Sequence, residues 1–174
     1  MKRMAWAALL LALSSSPLFA QEAGHRAEGR GVTVDIINAQ GENVGTATLT
    51  PAANGVRITF NIHNMQAGPH LVHIHANAKC EAPDFRSAGP HFNPQGAPGV
   101  PTGVMAGDIP NFVLTVRPDG TAHTSTIAPY VALGSEPNSV FANGGTALVF
   151  HAVAAQVSAS APPRIACAVV SRPQ

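Results

Sequence analysis

The stretch "GPHLVHIHANAKC", residues 68–80, decides how this chain is read. It places His70, His73 and His75, three of the chain's eight histidines, within six residues, and it ends on Cys80, one of two cysteines. Val72 and Ile74 alternate with His73 and His75, which is the period of a β-strand. Val72 and Ile74 therefore share one face, and His73 and His75 the other. This predicts His73 and His75 pointing away from the core, placed to grip one metal ion together. His70 has the parity of the apolar residues. It is expected to be a buried polar residue that supports the ligands, with its ring nitrogens needing partners.

Working outward, the chain shows short β-branched runs cut by Gly, Pro and Asn. Strands are predicted over 32–38, 44–50, 55–63, 69–76, 111–117, 121–127, 146–153 and 164–171. "NAQGEN", "PAANG" and "RPDG" supply hairpin turns, and no convincing amphipathic helix is present. Eight short strands in one domain argue an all-β, antiparallel sandwich or barrel. Three connectors, 77–110, 128–144 and 152–163, are longer than a turn needs. Loops of that length in a small domain often carry function.

Residues 1–20 carry Lys2 and Arg3, an apolar run from Met4 to Leu13 and a small-residue end at Ala20. This is the pattern of a secretory signal peptide. Residues 21–30 read as a flexible arm, and 31–174 as the β domain. Export to the periplasm or beyond the cell is the expected location. No later segment reaches the roughly 18 apolar residues of a bilayer span. Without Lys2 and Arg3 the ten basic residues become eight, against nine acidic ones. That balance offers no basic patch for nucleic acid. Two cysteines in an exported chain predict one disulfide, Cys80–Cys167.

Two further histidines join the pair. His151 lies in "TALVFHAV", on the face opposite Leu148 and Phe150. His91 lies in the loop "SAGPHFNP". Two histidines on one strand, one on another and one on a loop tied by cysteine compose a His-rich metal site. Imidazole suits Cu, Zn, Fe and Ni alike. His63 and His123 read as surface groups, and His25 as a solvated residue of the arm.

These segments, in this order, resemble the copper–zinc superoxide dismutases, especially the exported bacterial type. "GPHLVHIHANAKC" is similar to the strand with two copper histidines and the first disulfide cysteine. "SAGPHFNP" is similar to the segment with the metal-bridging histidine. "GDIPNFVLTVRPDGTAHTSTIAP" is similar to the strand pair after the zinc loop. "GTALVFHA" is similar to the strand of the fourth copper ligand, and "PPRIACAVV" to that of the active-site arginine and second cysteine. The resemblance covers about residues 31–172. It implies an eight-stranded Greek-key β-sandwich or barrel that converts superoxide to O2 and hydrogen peroxide. His73, His75, His91 and His151 would bind copper, with Arg164 and His91 as the catalytic residues and Cys80 bridged to Cys167.

Two departures stand out. The resemblance implies a zinc site of the bridging histidine, two more histidines and an aspartate. Asp108 matches the aspartate, but 92–107, "FNPQGAPGVPTGVMAG", holds no histidine, and Met105 stands about where the last one belongs. Residues 152–163, where the family has a charged loop, hold no charged side chain. The sequence is therefore closest to a copper-only branch, with zinc absent and Asp108 a vestige of its site. The weak charge of 152–163 also implies weaker steering of superoxide. The same histidines would serve an envelope copper-binding or delivery protein, or persist in an inactive relative; Arg164 is the residue that a store would not need.

Overall fold

The computed structural model describes residues 31–95, 97, 99–110, 112–152 and 162–173. The predicted signal peptide, the arm with His25 and most of the uncharged 152–163 segment lie outside them.

All eight expected strands form, within two residues of the predicted ends: β1 (Val32–Asn38), β2 (Asn43–Ala52), β3 (Gly55–Ile62), β4 (Gly68–His75), β5 (Val113–Val116), β6 (Ala122–Ala128), β7 (Thr146–Ala152) and β8 (Arg164–Val170). Among the described residues helix is limited to two 3-10 turns, Arg86–Ala88 and Ala142–Gly144. The strands make one antiparallel sheet in the order β5-β4-β7-β8-β1-β2-β3-β6. The two end strands, β5 and β6, are joined by the tight turn 117–121, where Arg117 N–H donates to Thr121 O at 2.9 Å. The sheet thus curls into a nearly closed barrel. The β3–β4 and β6–β7 connections cross between its ends, as a Greek key requires.

Alternation along the strands fills the barrel. Ile36, Leu49, Ile58, Phe60, Ile74, Leu114, Leu148 and Phe150 are fully buried within it. Phe60 is central, stacking on Phe112 at 5.6 Å between centroids and meeting Phe150 edge-on at 5.8 Å. Each such side chain contributes about 1.5–3 kcal/mol through burial.

β7 is buried on both faces. Its inward residues, Leu148 and Phe150, belong to the barrel core. Its outward residues, Ala147 and Val149, pack with Cys167, Phe85 and Ala88 in a second apolar cluster. That cluster exists because the segment after β4 folds back over the outside of the sheet. The Cys80–Cys167 disulfide, with Cα atoms 5.7 Å apart, ties this segment to β8.

Candidate metal centre

β4 organises the site. It pairs with β7 along one edge, His70 to His75 against Ala152 to Ala147. Along its other edge β5 reaches only to Leu71, and the long loop takes over beyond it. There Ile74 N–H donates to Gly107 O at 2.9 Å, and Phe92 N–H donates to Ile74 O at 2.8 Å. His91 forms a bridge opposite His75. A Cβ at Gly107 would overlap the Ile74 carbonyl oxygen, so only glycine lets the loop approach this closely. Asp108 is the next residue.

His73, His75, His91 and His151 converge, and one ring nitrogen from each lies within 4.8 Å of the others. His75 and His151 are buried, while His73 and His91 are half-buried. Val72 and Ile74 face the barrel, as alternation predicts.

Hydrogen bonds fix which nitrogen three of the four rings present. A carbonyl or carboxylate oxygen can only accept, so a ring nitrogen bonded to one carries the proton. His75 Nδ1 donates to Gly89 O at 2.8 Å, and His151 Nδ1 to Pro162 O at 3.2 Å. His91 Nδ1 donates to Asp108 Oδ1 at 2.8 Å. In His75 and His151, whose pKa values are lowered, Nε2 is left as a bare lone pair. The His75 and His151 Nε2 atoms face each other at 3.4 Å, where neither has a proton to share. Two ligands about 2.0–2.1 Å from one tetrahedral metal stand at nearly that separation. His73 Nδ1 is buried and has no hydrogen-bond partner.

His73, His75 and His151 are held neutral. Burial first, then the cationic forms of His91 and His151, lower the His73 pKa from 6.5 to about 4. Burial is also the main cause that lowers His75 to about 3, against the opposing bond to Gly89. Burial lowers His151 in the same way. Neutral imidazoles with converging lone pairs suit a soft or borderline transition metal.

Arg164 sits beside this cluster because of a β-bulge. The β7–β8 register shifts after Phe150–Ala166, so that His151 pairs directly with Arg164. The guanidinium donates to Phe85 O at 2.7 Å and to Gly89 O at 2.8 Å. Gly89 O thus receives both His75 and Arg164. Gly89 has φ 77°, in the left-handed region, and a Cβ there would press on the Asn77 amide. Among the described residues Arg164 makes no ion pair. Burial lowers its pKa, with Asp84 opposing and Arg86 adding to the effect.

Asp108 spends both carboxylate oxygens: Oδ1 on His91, and Oδ2 on the Met105 N–H at 2.8 Å. His70 is buried on the barrel side, and its Nε2 donates to Gln66 O at 2.7 Å while Nδ1 has no partner. No hydrogen bond links it to the four clustered rings. His63 and His123 are exposed and lie outside the cluster. Sequence reasoning missed the carbonyl hub at Gly89 and the bulge at Arg164. The "SAG" before His91 was the only trace of the first, and nothing in the sequence marks the second.

Residues 43–170 match the family described as copper/zinc superoxide dismutase (SODC). The chain is 39% identical over 145 residues to superoxide dismutase [Cu-Zn] 1 of Aquifex aeolicus, a match covering 78% of this chain and 85% of that one. It is 37% identical to superoxide dismutase [Cu-Zn] 2 of the same organism, over 78% and 84%. Among solved structures, a single-residue mutant of a SOD-like protein from Bacillus subtilis is similar with a TM-score of 0.69. That match is 28% identical and covers 80% of this chain and 97% of that one.

Proposed function

The chain belongs to the copper/zinc superoxide dismutase family, and on that premise we propose that it dismutates superoxide at a copper ion held by His73, His75, His91 and His151, without zinc. The overall reaction takes two superoxide anions and two protons to O2 and hydrogen peroxide. Bound copper would supply the one-electron oxidation and reduction. The carrying observation is the convergence of four imidazoles on a common point, with the Nδ1 of His75, His91 and His151 each engaged by an oxygen so that Nε2 is turned to that point.

The protein's own groups do the rest. Arg164 is cationic, unpaired among the described residues and tethered through two of its N–H donors. Its other donors can hold a small anion beside the metal. His91 comes from a loop rather than a strand, and its side chain is 28% exposed. Asp108 keeps the Nδ1 proton in place, so Nε2 is the nitrogen that faces metal and substrate and can exchange a proton with the latter.

The residues do not fit zinc. A structural zinc site takes four protein ligands. His91 and Asp108 are the two that remain, and they are hydrogen-bonded to each other. The Asp108 carboxylate does for the His91 tautomer what a second metal would do, by holding Nδ1. This supports a copper-only enzyme.

A copper store built from the same histidines would not need Arg164. Arg164→Lys keeps a cation and one tether but loses the planar fork. The expected result is unchanged copper content with at least a tenfold loss of dismutation, measured by metal analysis and a superoxide assay. Equal activity in the variant would favour a binding role.

A further inference from the structure

A cavity of about 360 Å³ lies where β2 turns into β3 and the chain leaves β6. Pro51, Pro129, Val131 and Leu133 give it apolar walls, and Glu136 and Asn138 bring two oxygen-bearing side chains to it. The segment after β6 is closed on itself here. Val140 N–H donates to Ala132 O at 2.9 Å, and Ala132 N–H donates to Asn138 O at 3.1 Å.

Asn138 is only 6% exposed. Its Nδ2 donates to Tyr130 O at 2.8 Å. This fixes the amide, because turning it over would set two acceptors against each other. Oδ1 is left buried with no partner among the described residues, although interior polar atoms are nearly always paired. The Glu136 carboxylate folds back over Gly134, where an added Cβ would meet it. Among the described residues Glu136 forms no ion pair. Arg172 reaches the same loop, but its guanidinium donates to Gly134 O at 2.8 Å and lies over the Phe141 ring. An unpaired carboxylate and an orphaned amide oxygen on one cavity both call for a donor that carries positive charge.

The start of β1 runs to this same end of the barrel. Val32 lies opposite Leu49. Gly31 packs on the next residue, since a Cβ there would stand 2.9 Å from Leu49 O and 3.0 Å from Thr50 Cγ2. The partner that follows in this register is Pro51, a wall of the cavity, and the residue that would meet it is Arg30. Residues two apart on a strand share a face, and Val32 is part of the barrel core.

We propose that the Arg30 guanidinium occupies this cavity, bonding Asn138 Oδ1 and the Glu136 carboxylate and so anchoring residues 21–30 to the end of the barrel. The planar fork can serve two acceptors at once, and the aliphatic stem suits proline and leucine walls. Arg26, the other arginine of residues 21–30, stands four residues further from that register. The role is independent of the copper centre.

The test is NMR on the copper(I)-loaded chain with residues 21–30 intact, with the β4 and β7 amide signals as the check on folding. Arg30→Gln is expected to shift the Asn138 side-chain amide and the Val131 and Leu133 methyl signals, while Arg26→Gln leaves them in place. Methylguanidinium added to the Arg30→Gln chain is expected to return them saturably towards their native positions. A further Glu136→Gln change should weaken that binding about threefold, the size of one exposed ion pair. Signals that move in neither arginine variant, or equally in both, would show a cavity filled by water and overturn the assignment. Saturable binding of methylguanidinium to the native chain would show that the cavity is free for a cation from elsewhere, and would overturn Arg30 as its occupant.

Discussion

At the scale of single residues, the centre is defined by protons rather than by charge. His75, His91 and His151 each lose the freedom to choose a tautomer, because Gly89 O, Asp108 and Pro162 O accept at Nδ1. Burial then keeps His73 and His75 neutral, at about 4 and about 3. The unfolded chain titrates them near 6.5, so below that pH it binds more protons than the folded metal-free chain. Their contribution to stability is present above about pH 6.5 and is lost as pH falls through the folded values. Thermal unfolding of the chelator-treated protein should therefore show a melting temperature that drops steadily from pH 7 to pH 4. A variant carrying His73→Gln and His75→Gln should show a flatter profile. A native profile as flat as that of the variant would contradict the neutral cluster. Much of this scale was legible in the sequence, since alternation alone separates His73 and His75 from His70. The proton assignments of His75 and His151 were not, because they depend on backbone carbonyls that have no sequence identity.

At the scale of elements, strands were readable and loops were not. β-Branched runs and hairpin turns placed every strand, since each strand's pattern is local. The loop from 76 to 112 takes its shape from contacts distant in sequence. The Cys80–Cys167 bridge spans 87 residues, a closure that contributes on the order of 4 kcal/mol in the chain-entropy picture. The Arg164 tethers and the ladder of Ile74, Phe92 and Gly107 fix the rest. Gly107 is the element's most sensitive point. Gly107→Ala should cost about 1–3 kcal/mol by overpacking, and should weaken copper binding about tenfold or more by displacing His91 and Asp108. Urea unfolding and copper competition measure the two effects. Lost stability with undiminished copper affinity would show that Gly107 does not place His91. The β-bulge that aligns Arg164 with His151 had no local signature either, because a register shift is a property of two strands and not of one.

At the scale of the molecule, the barrel keeps its apolar interior separate from its chemistry. Val72, Ile74, Leu148 and Phe150 fill the inside of β4 and β7, and the histidines use the outside of the same strands. A pinned loop lies against them, and of the outward-facing ligands His75 and His151 are nonetheless buried. The absence of histidine from 92–107 therefore leaves the core undisturbed. Within the loop, Asp108 is hydrogen-bonded to His91 and Met105. The central claim is that this centre works with copper alone. Elemental analysis of protein loaded with copper and zinc together tests it most directly. The account predicts one copper per chain, no stoichiometric zinc and superoxide dismutation by that same preparation; one zinc bound per chain at His91 and Asp108 would contradict it.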